Sequence, residues 1–314
     1  MSRTPPPPGY RDCGRRVQRV RALDPVPDQR GRTVLVTGGT DGVGRALVEH
    51  LAAVGATVRF TARDATKGER VRSEVVSATG NDDVRVVLLD LADLASVRAG
   101  ARTVLDTSER LDVVITNAGY QAHGPREVTA DGFERTFGVN HLGHALLIHE
   151  LEPLIRASTP NRVVIVASEA HRRAKGGLDF DDLQMARSKW QATLQYNRSK
   201  LANILYAREL ARRLAGTGVD VLAAHPGGVD TPMMRGNFRN PALRALYPAL
   251  RHTVLISPDE SAAGVLRVAL DPTLTGTTSE YFELGRAATP TTDAQDDAMA
   301  ARLWDVTTTL LDQH

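Results

Sequence analysis

The sequence predicts an α/β fold, a doubly wound parallel sheet with helices on both faces. Three observations carry the prediction. From Thr33 onward, short apolar runs alternate with amphipathic stretches, as βαβ units with right-handed crossovers require. A glycine-rich stretch, Thr37-Gly38-Gly39-Thr40-Asp41-Gly42-Val43-Gly44, joins the first apolar run to the first amphipathic one. Apolar residues make up 42% of the chain and aromatics only 4%, so the core is aliphatic, which suits a sheet covered on both faces. At 314 residues the chain can bury one large core of this kind.

The elements follow in order. Short apolar runs predict strands over 33–37, 57–61, 84–89, 111–116, 162–168 and 219–225. Helical patterns fill the gaps at 43–54, 67–78, 94–105, 132–154 and 196–214. Two stretches break the alternation: a polar insertion over 172–194, and a Pro-, Arg- and Gly-rich region over 226–257 that carries Met233 and Met234. Both follow the C-terminal ends of strands, where ligands bind in open α/β sheets. Residues 1–31, with four consecutive prolines from Pro5, read as a disordered Pro/Arg-rich extension, and 32–314 as a single domain.

Composition excludes several function classes. The formal charge of +2 argues against nucleic acid as a main partner, and eight arginines against three aspartates in the first 32 residues supply much of the excess. Cys13 is the one cysteine, so an intrachain disulfide, a cysteine-based zinc site and a cysteine nucleophile in the folded body are all ruled out. A reducing cytoplasm fits that usage. No run of 18 apolar residues predicts a membrane span, and the N-terminus lacks the apolar core of a secretory signal. No His/Asp/Glu cluster has zinc-ligand spacing, so no metal is expected, and His141, His144 and His225 read as packing or hydrogen-bonding residues.

The chemistry begins with the glycine loop. Glycines after a first strand and before a helix permit a tight turn and close approach to a pyrophosphate, whose charge the helix N-terminus stabilises. A second feature is Tyr196-Asn197-Arg198-Ser199-Lys200 at the head of a helical run. Residues four apart share a helix face, and an ammonium beside a phenol lowers the phenol pKa. By itself such a pair marks a solvated helix face more often than a site.

The spacing Thr-Gly-x-x-x-Gly-x-Gly resembles that of the short-chain dehydrogenase/reductase family, and the rest of the chain follows that family in order. Asp90-Leu91 resembles the pair that holds the adenine ring, and Asn117-Ala118-Gly119 the stretch beside the cofactor. Asn140, Ser168, Tyr196 and Lys200 match the catalytic set. Pro226-Gly227, Val229 and Thr231 match the stretch that clasps the nicotinamide. Thr61-Ala62-Arg63-Asp64, Asn140-His141-Leu142-Gly143-His144, Ala170-His171, Ser257-Pro258-Asp259-Glu260, Tyr281-Phe282 and Arg302-Leu303-Trp304 are similar to the retinol dehydrogenase-like branch, so the likeness runs over about 32–312.

The resemblance implies a single-domain Rossmann fold of about seven parallel strands, holding both cofactor and substrate sites. It implies interconversion of a carbonyl and an alcohol on a lipophilic small molecule. Tyr196 would be the acid/base, with its pKa lowered by Lys200. Ser168 would donate to the substrate oxygen, and Asn140 would hold a water for proton resupply. Thr37, Gly38, Thr40, Asp41, Gly42, Val43 and Gly44 would cradle the dinucleotide. Arg63 and Asp64 are adjacent where NAD and NADP are told apart, so spacing alone leaves the choice open; the branch puts Arg63 on the 2′-phosphate, which favours NADP, with NAD possible. Gln121-Ala122-His123, 172–194, Met233, Met234 and 236–255 would line the substrate. The family also implies a homodimer or homotetramer built on the helices of Asn140 and Tyr196. A catalytically silent NADP(H)-binding sensor on the same fold is the competing reading.

Overall fold

The computed structural model describes residues 20–229 and 255–314. Thr231, Met233, Met234 and residues 1–19 lie outside the described residues, as does nearly all of the 236–255 stretch. The strands are β1 (Thr33–Val36), β2 (Thr57–Ala62), β3 (Val84–Leu88), β4 (Val113–Thr116), β5 (Asn161–Val166), β6 (Val219–His225), β7 (Tyr281–Glu283) and β8 (Arg286–Ala288). The helices are α1 (Gly42–Ala53), α2 (Ala65–Thr79), α3 (Leu94–Thr107), α4 (Arg135–Phe137), α5 (Gly143–Ala157), α6 (Ala192–Arg213), α7 (Pro258–Leu270) and α8 (Asp297–Asp312).

One sheet holds all eight strands in the order β3-β2-β1-β4-β5-β6-β7-β8. Seven run parallel, and β8 turns back antiparallel on β7. The order reverses at β1, which pairs with β2 on one side and β4 on the other, so the loop after β1 opens at a topological switch point. Alternate residues feed opposite cores. Leu35 packs with α3, α5, α6 and α8, whereas Val34 and Val36 pack with α1, α2 and α7.

The expected helix over 132–154 is broken. One turn, α4, is capped by the Glu134 carboxylate, which accepts from the Thr136 and Phe137 amides. A π-helical turn over Gly138–Leu142 follows and carries Asn140, and only then does α5 begin. The cause is close packing at two glycines. A Cβ on Gly138 would lie 2.6 Å from Thr129 Cγ2, and one on Gly143 2.6 Å from the Leu91 carbonyl oxygen. π turns of this kind recur at functional sites.

One further expectation changes. Residues 20–31 belong to the folded body: Val20, Leu23 and Val26 pack on the α7 side of the core, and Gln29 is buried with its amide bonded to Val54. Helix α8 packs on α6 within the chain. Trp304 stacks on Tyr206 at 5.2 Å, Thr307 meets His141 Nε2 at 2.8 Å, and every residue of α6 from Leu201 to Ala207 is buried. No helix among the described residues is long and apolar enough to cross a membrane.

Candidate active site

A cavity of about 1010 Å³ runs along the C-terminal ends of the central strands. Gly38, Thr40, Asp41, Gly42, Val43 and Gly44 form its floor at one end, with Arg63 from the end of β2 and Asp90 and Leu91 from the end of β3. Asn117, Ala118 and Gly119 line its middle. Ser168, Tyr196, Lys200, Pro226, Gly227 and Val229 close the far end. Residues from seven separate stretches thus line one cleft.

Thr37 and Asn140 stand behind the wall rather than in it. Thr37 Oγ1 accepts the Ala118 amide at 2.9 Å, and Asn117 Nδ2 donates to the Thr37 carbonyl at 3.0 Å, which ties the glycine loop to the end of β4. Thr37 Oγ1 also lies 2.9 Å from His144 Nε2, and His144 Nδ1 lies 3.1 Å from the Asn140 carbonyl. A carbonyl only accepts, so Nδ1 carries the imidazole proton and Thr37 donates to Nε2. Asn140 is fully buried: its Oδ1 accepts the Tyr120 amide, and its Nδ2 donates to the Tyr120 carbonyl and to Ser199 Oγ, at 2.7 to 2.9 Å. Its amide is a clamp between the loop after β4 and α6. Both amide protons go to protein acceptors.

The floor of the cleft is built for an anionic group. Gly38 and Gly42 adopt positive φ, and a Cβ on Gly44 would sit 2.1 Å from the Gly38 oxygen and 2.6 Å from Asn117 Nδ2. Only glycines let the loop close this tightly over the N-terminus of α1. At the edge, the Asp64 carboxylate caps α2 by accepting the Lys67 amide at 2.8 Å, and Asp64 also lines the cavity. Arg63 and Lys67 present cations there, and Lys67 Nζ pairs with Asp41 at 2.6 Å. Lys67 is a site residue that the motif reading passed over. Its position at the first turn of α2, beside Arg63, was the available signal.

At the opposite end Ser168 terminates the fifth strand region, and its hydroxyl bonds the Tyr196 phenol. Lys200 Nζ donates to the Val166 carbonyl at 3.2 Å and lies 5.8 Å from the Tyr196 ring centre. Burial lowers Lys200 to about 8. Burial also raises Tyr196, and the bond from Ser168 offsets part of that rise. Desolvation thus opposes the expected lowering of the tyrosine. His225, also on the cavity wall, is held neutral by burial, with its pKa lowered to about 4. Gln121, Glu169, Ala170, Arg173, Thr193 and Asn197 also line the cavity, and Gln121, Arg173 and Thr193 among them fall in the stretches expected to meet substrate.

Comparison with known proteins agrees with this geometry. The short chain dehydrogenase family model matches residues 32–178. The chain is 38% identical over 310 residues to human retinol dehydrogenase 14, across 94% of this chain and 91% of that one. Among solved structures it is similar to an uncharacterized protein from Mycobacterium Paratuberculosis, at 33% identity and a TM-score of 0.75, covering 93% of this chain and 98% of that one. It is also similar to the RhlG/NADP active-site complex of Pseudomonas aeruginosa, at 25% identity and a TM-score of 0.66, covering 88% of this chain and all of that one. The chain belongs to the short-chain dehydrogenase/reductase family, in its retinol dehydrogenase-like branch, and is an NAD(P)-dependent oxidoreductase.

Proposed function

We propose that this short-chain dehydrogenase interconverts an aldehyde or ketone and the corresponding alcohol on a lipophilic small molecule, with NADP(H) as its cofactor and Tyr196 as the acid/base. The observation that carries the reading is the convergence of Ser168, Tyr196 and Lys200 at one end of a cleft whose other end is a glycine-cradled helix N-terminus. The cradle fits a dinucleotide, since the space a Cβ at Gly44 would fill lies against backbone. When bound, the nicotinamide supplies or accepts the hydride.

The chain's own residues handle the proton and the charge. In reduction, the Tyr196 hydroxyl gives its proton to the substrate oxygen as the carbonyl carbon gains hydride. Ser168, bonded to the same phenol, orients it and donates to the growing oxyanion. Lys200 near 8 is largely ammonium at neutral pH and stabilises the tyrosinate left behind. Asn140 holds Tyr120 and Ser199, and so fixes the loop after β4 against the helix that bears Tyr196 and Lys200.

The preference for NADP rests on the second-strand edge. Arg63 and Lys67 line the cleft beside Asp64, whose carboxylate also caps α2. A guanidinium fork matches a 2′-phosphate. Arg63→Ala is expected to raise KM for NADPH about tenfold and to leave KM for NADH nearly unchanged, the cost of about 1.4 kcal/mol for one charge-assisted contact. Steady-state kinetics with both nucleotides checks it; equal effects on the two would sink the assignment.

A further inference from the structure

We propose that Leu284 is a positioning residue for the nicotinamide half of the cofactor, acting as a prop beneath the loop Pro226–Gly227–Gly228–Val229. The inference rests on the reading of that loop as the nicotinamide clasp. Its own warrant is a local conflict between backbone and side chain.

Strands β7 and β8 are joined by only Leu284 and Gly285, with Glu283 paired to Arg286. Both loop residues have positive φ, +50° for Leu284 and +75° for Gly285, as a tight two-residue hairpin requires. Glycine, asparagine and aspartate suit the first of these positions, because a branched side chain crowds its own backbone there. A leucine is therefore strained, and strained residues persist where their surroundings over-determine them. Here the surroundings are visible. The Leu284 side chain is 5% exposed. Its Cδ2 lies so near Gly227 that a Cβ on that glycine would stand 2.7 Å away, and Ile256 Cδ1 would be 2.6 Å from the same point.

The backbone around the prop is latched on both sides. The Leu284 amide donates to the His225 carbonyl at 3.0 Å, one residue before the loop. The Leu284 carbonyl accepts the Arg21 amide at 2.8 Å, so the chain segment ahead of β1 closes over the turn from outside. Gly285 admits that segment: a Cβ there would meet the Arg21 oxygen at 2.2 Å. On the loop itself, Ser261 Oγ donates to the Pro226 carbonyl at 2.8 Å and the Ile256 amide to the Gly228 carbonyl at 2.9 Å. Those bonds fix the loop's two ends and leave Gly227, with φ of +99°, resting on Leu284 and Ile256. A shorter side chain at 284 lets Gly227 sink away from the cleft while the phosphate floor, on the other side of the switch point, keeps its shape.

Calorimetric titration with two ligands tests this. NADP+ spans the cleft, whereas adenosine 2′,5′-bisphosphate reaches only the Gly38–Gly44 and Arg63 end. Leu284→Ala should weaken NADP+ about tenfold and leave the bisphosphate within twofold, while Leu284→Met keeps both near wild-type values. If the alanine variant does not fold, Leu284→Asn, which suits the positive φ but lacks the apolar prop, gives the same readout. Equal weakening of both ligands, or of neither, overturns the proposal. Gly227→Ala separates the two levels of inference. If it shifts the NADP+ to bisphosphate ratio and the Leu284 variants do not, the loop reading stands and the prop falls; if Gly227→Ala leaves the ratio unmoved, the loop reading fails and the prop goes with it.

Discussion

Tyr196→Phe lowers kcat by about a thousandfold, with NADPH affinity within about twofold of wild type and thermal stability essentially unchanged. The magnitude is the middle of the range that a positioned general acid supplies. The separation of effects follows from geometry. The phenol oxygen's partner is the Ser168 hydroxyl, which faces the cleft and can turn to water when the phenol is gone. No backbone group is orphaned by the change, so the usual cost of an unsatisfied buried partner does not arise. The nucleotide floor lies at the far end of the cavity and does not touch residue 196. Stopped-flow turnover with a panel of aldehydes and ketones, beside a nucleotide titration, reads both quantities. A variant that keeps more than a tenth of wild-type turnover removes Tyr196 from the proton-transfer step.

The same variant bears on the order of protonation at the site. Burial raises Tyr196 and lowers Lys200 to about 8, so both groups are pushed toward their neutral forms before a nucleotide enters. Any tyrosinate has to be stabilised by Ser168 and by the Lys200 ammonium together. Oxidation of an alcohol, which needs the deprotonated phenol, accordingly gains from higher pH only until Lys200 loses its charge.

How much of this was legible beforehand differs from element to element. The positions of β1 to β6 and the convergence of Gly38–Gly44, Asn117, Ser168, Tyr196 and Lys200 follow from spacing, because each lies next to a strand end and the topology carries strand ends to one edge. The break at Asn140 was not legible. It depends on what Gly138 and Gly143 press against, Thr129 and Leu91, which sequence periodicity does not report. The β7–β8 hairpin hid for two reasons: its strands are three residues each, and its turn carries Leu-Gly in place of Asn-Gly. Helix α7 had a readable signal in Ser257-Pro258-Asp259-Glu260, a capping box with proline at the first helical position, and the structure forms both of its bonds. The burial of Tyr196, which opposes a lowered phenol, is likewise invisible to a helix-face argument, which sees only the neighbouring charge.

Acid is expected to unfold this protein well above the carboxylate range, between about pH 4 and 6. Three buried histidines drive it. His141 is pushed down to about 3 and His144 and His225 to about 4, each chiefly by burial. His141 contacts Thr307, and His144 sits between Thr37 and the Asn140 carbonyl with Lys200 nearby. His225 feels Glu169 and Glu283, which favour its charge, and His171 and Lys200, which oppose it. The sign follows from the proton count. In the unfolded chain a histidine titrates near 6.5. Between about 6.5 and 4 the unfolded state therefore holds three protons that the native state does not, and stability falls as pH falls. Each such proton contributes a slope of about 1.4 kcal/mol per pH unit, roughly 4 for the three together, against a total stability of about 5–15 kcal/mol. Lys200 acts on the other flank. Its lowered value makes stability rise between about 8 and 10.5, so it neither adds to nor masks the acid transition. The measurement is circular dichroism across a pH series with urea midpoints at each point. Wild type should lose most of its midpoint between pH 6.5 and 4.5, and His141→Gln, which can still bond Thr307, should flatten the slope by about one proton. A midpoint that stays level from pH 7 to 5 would mean that these imidazoles are charged in the native state, and the tautomer that ties Thr37 to Asn140 through His144 would have to be abandoned with it.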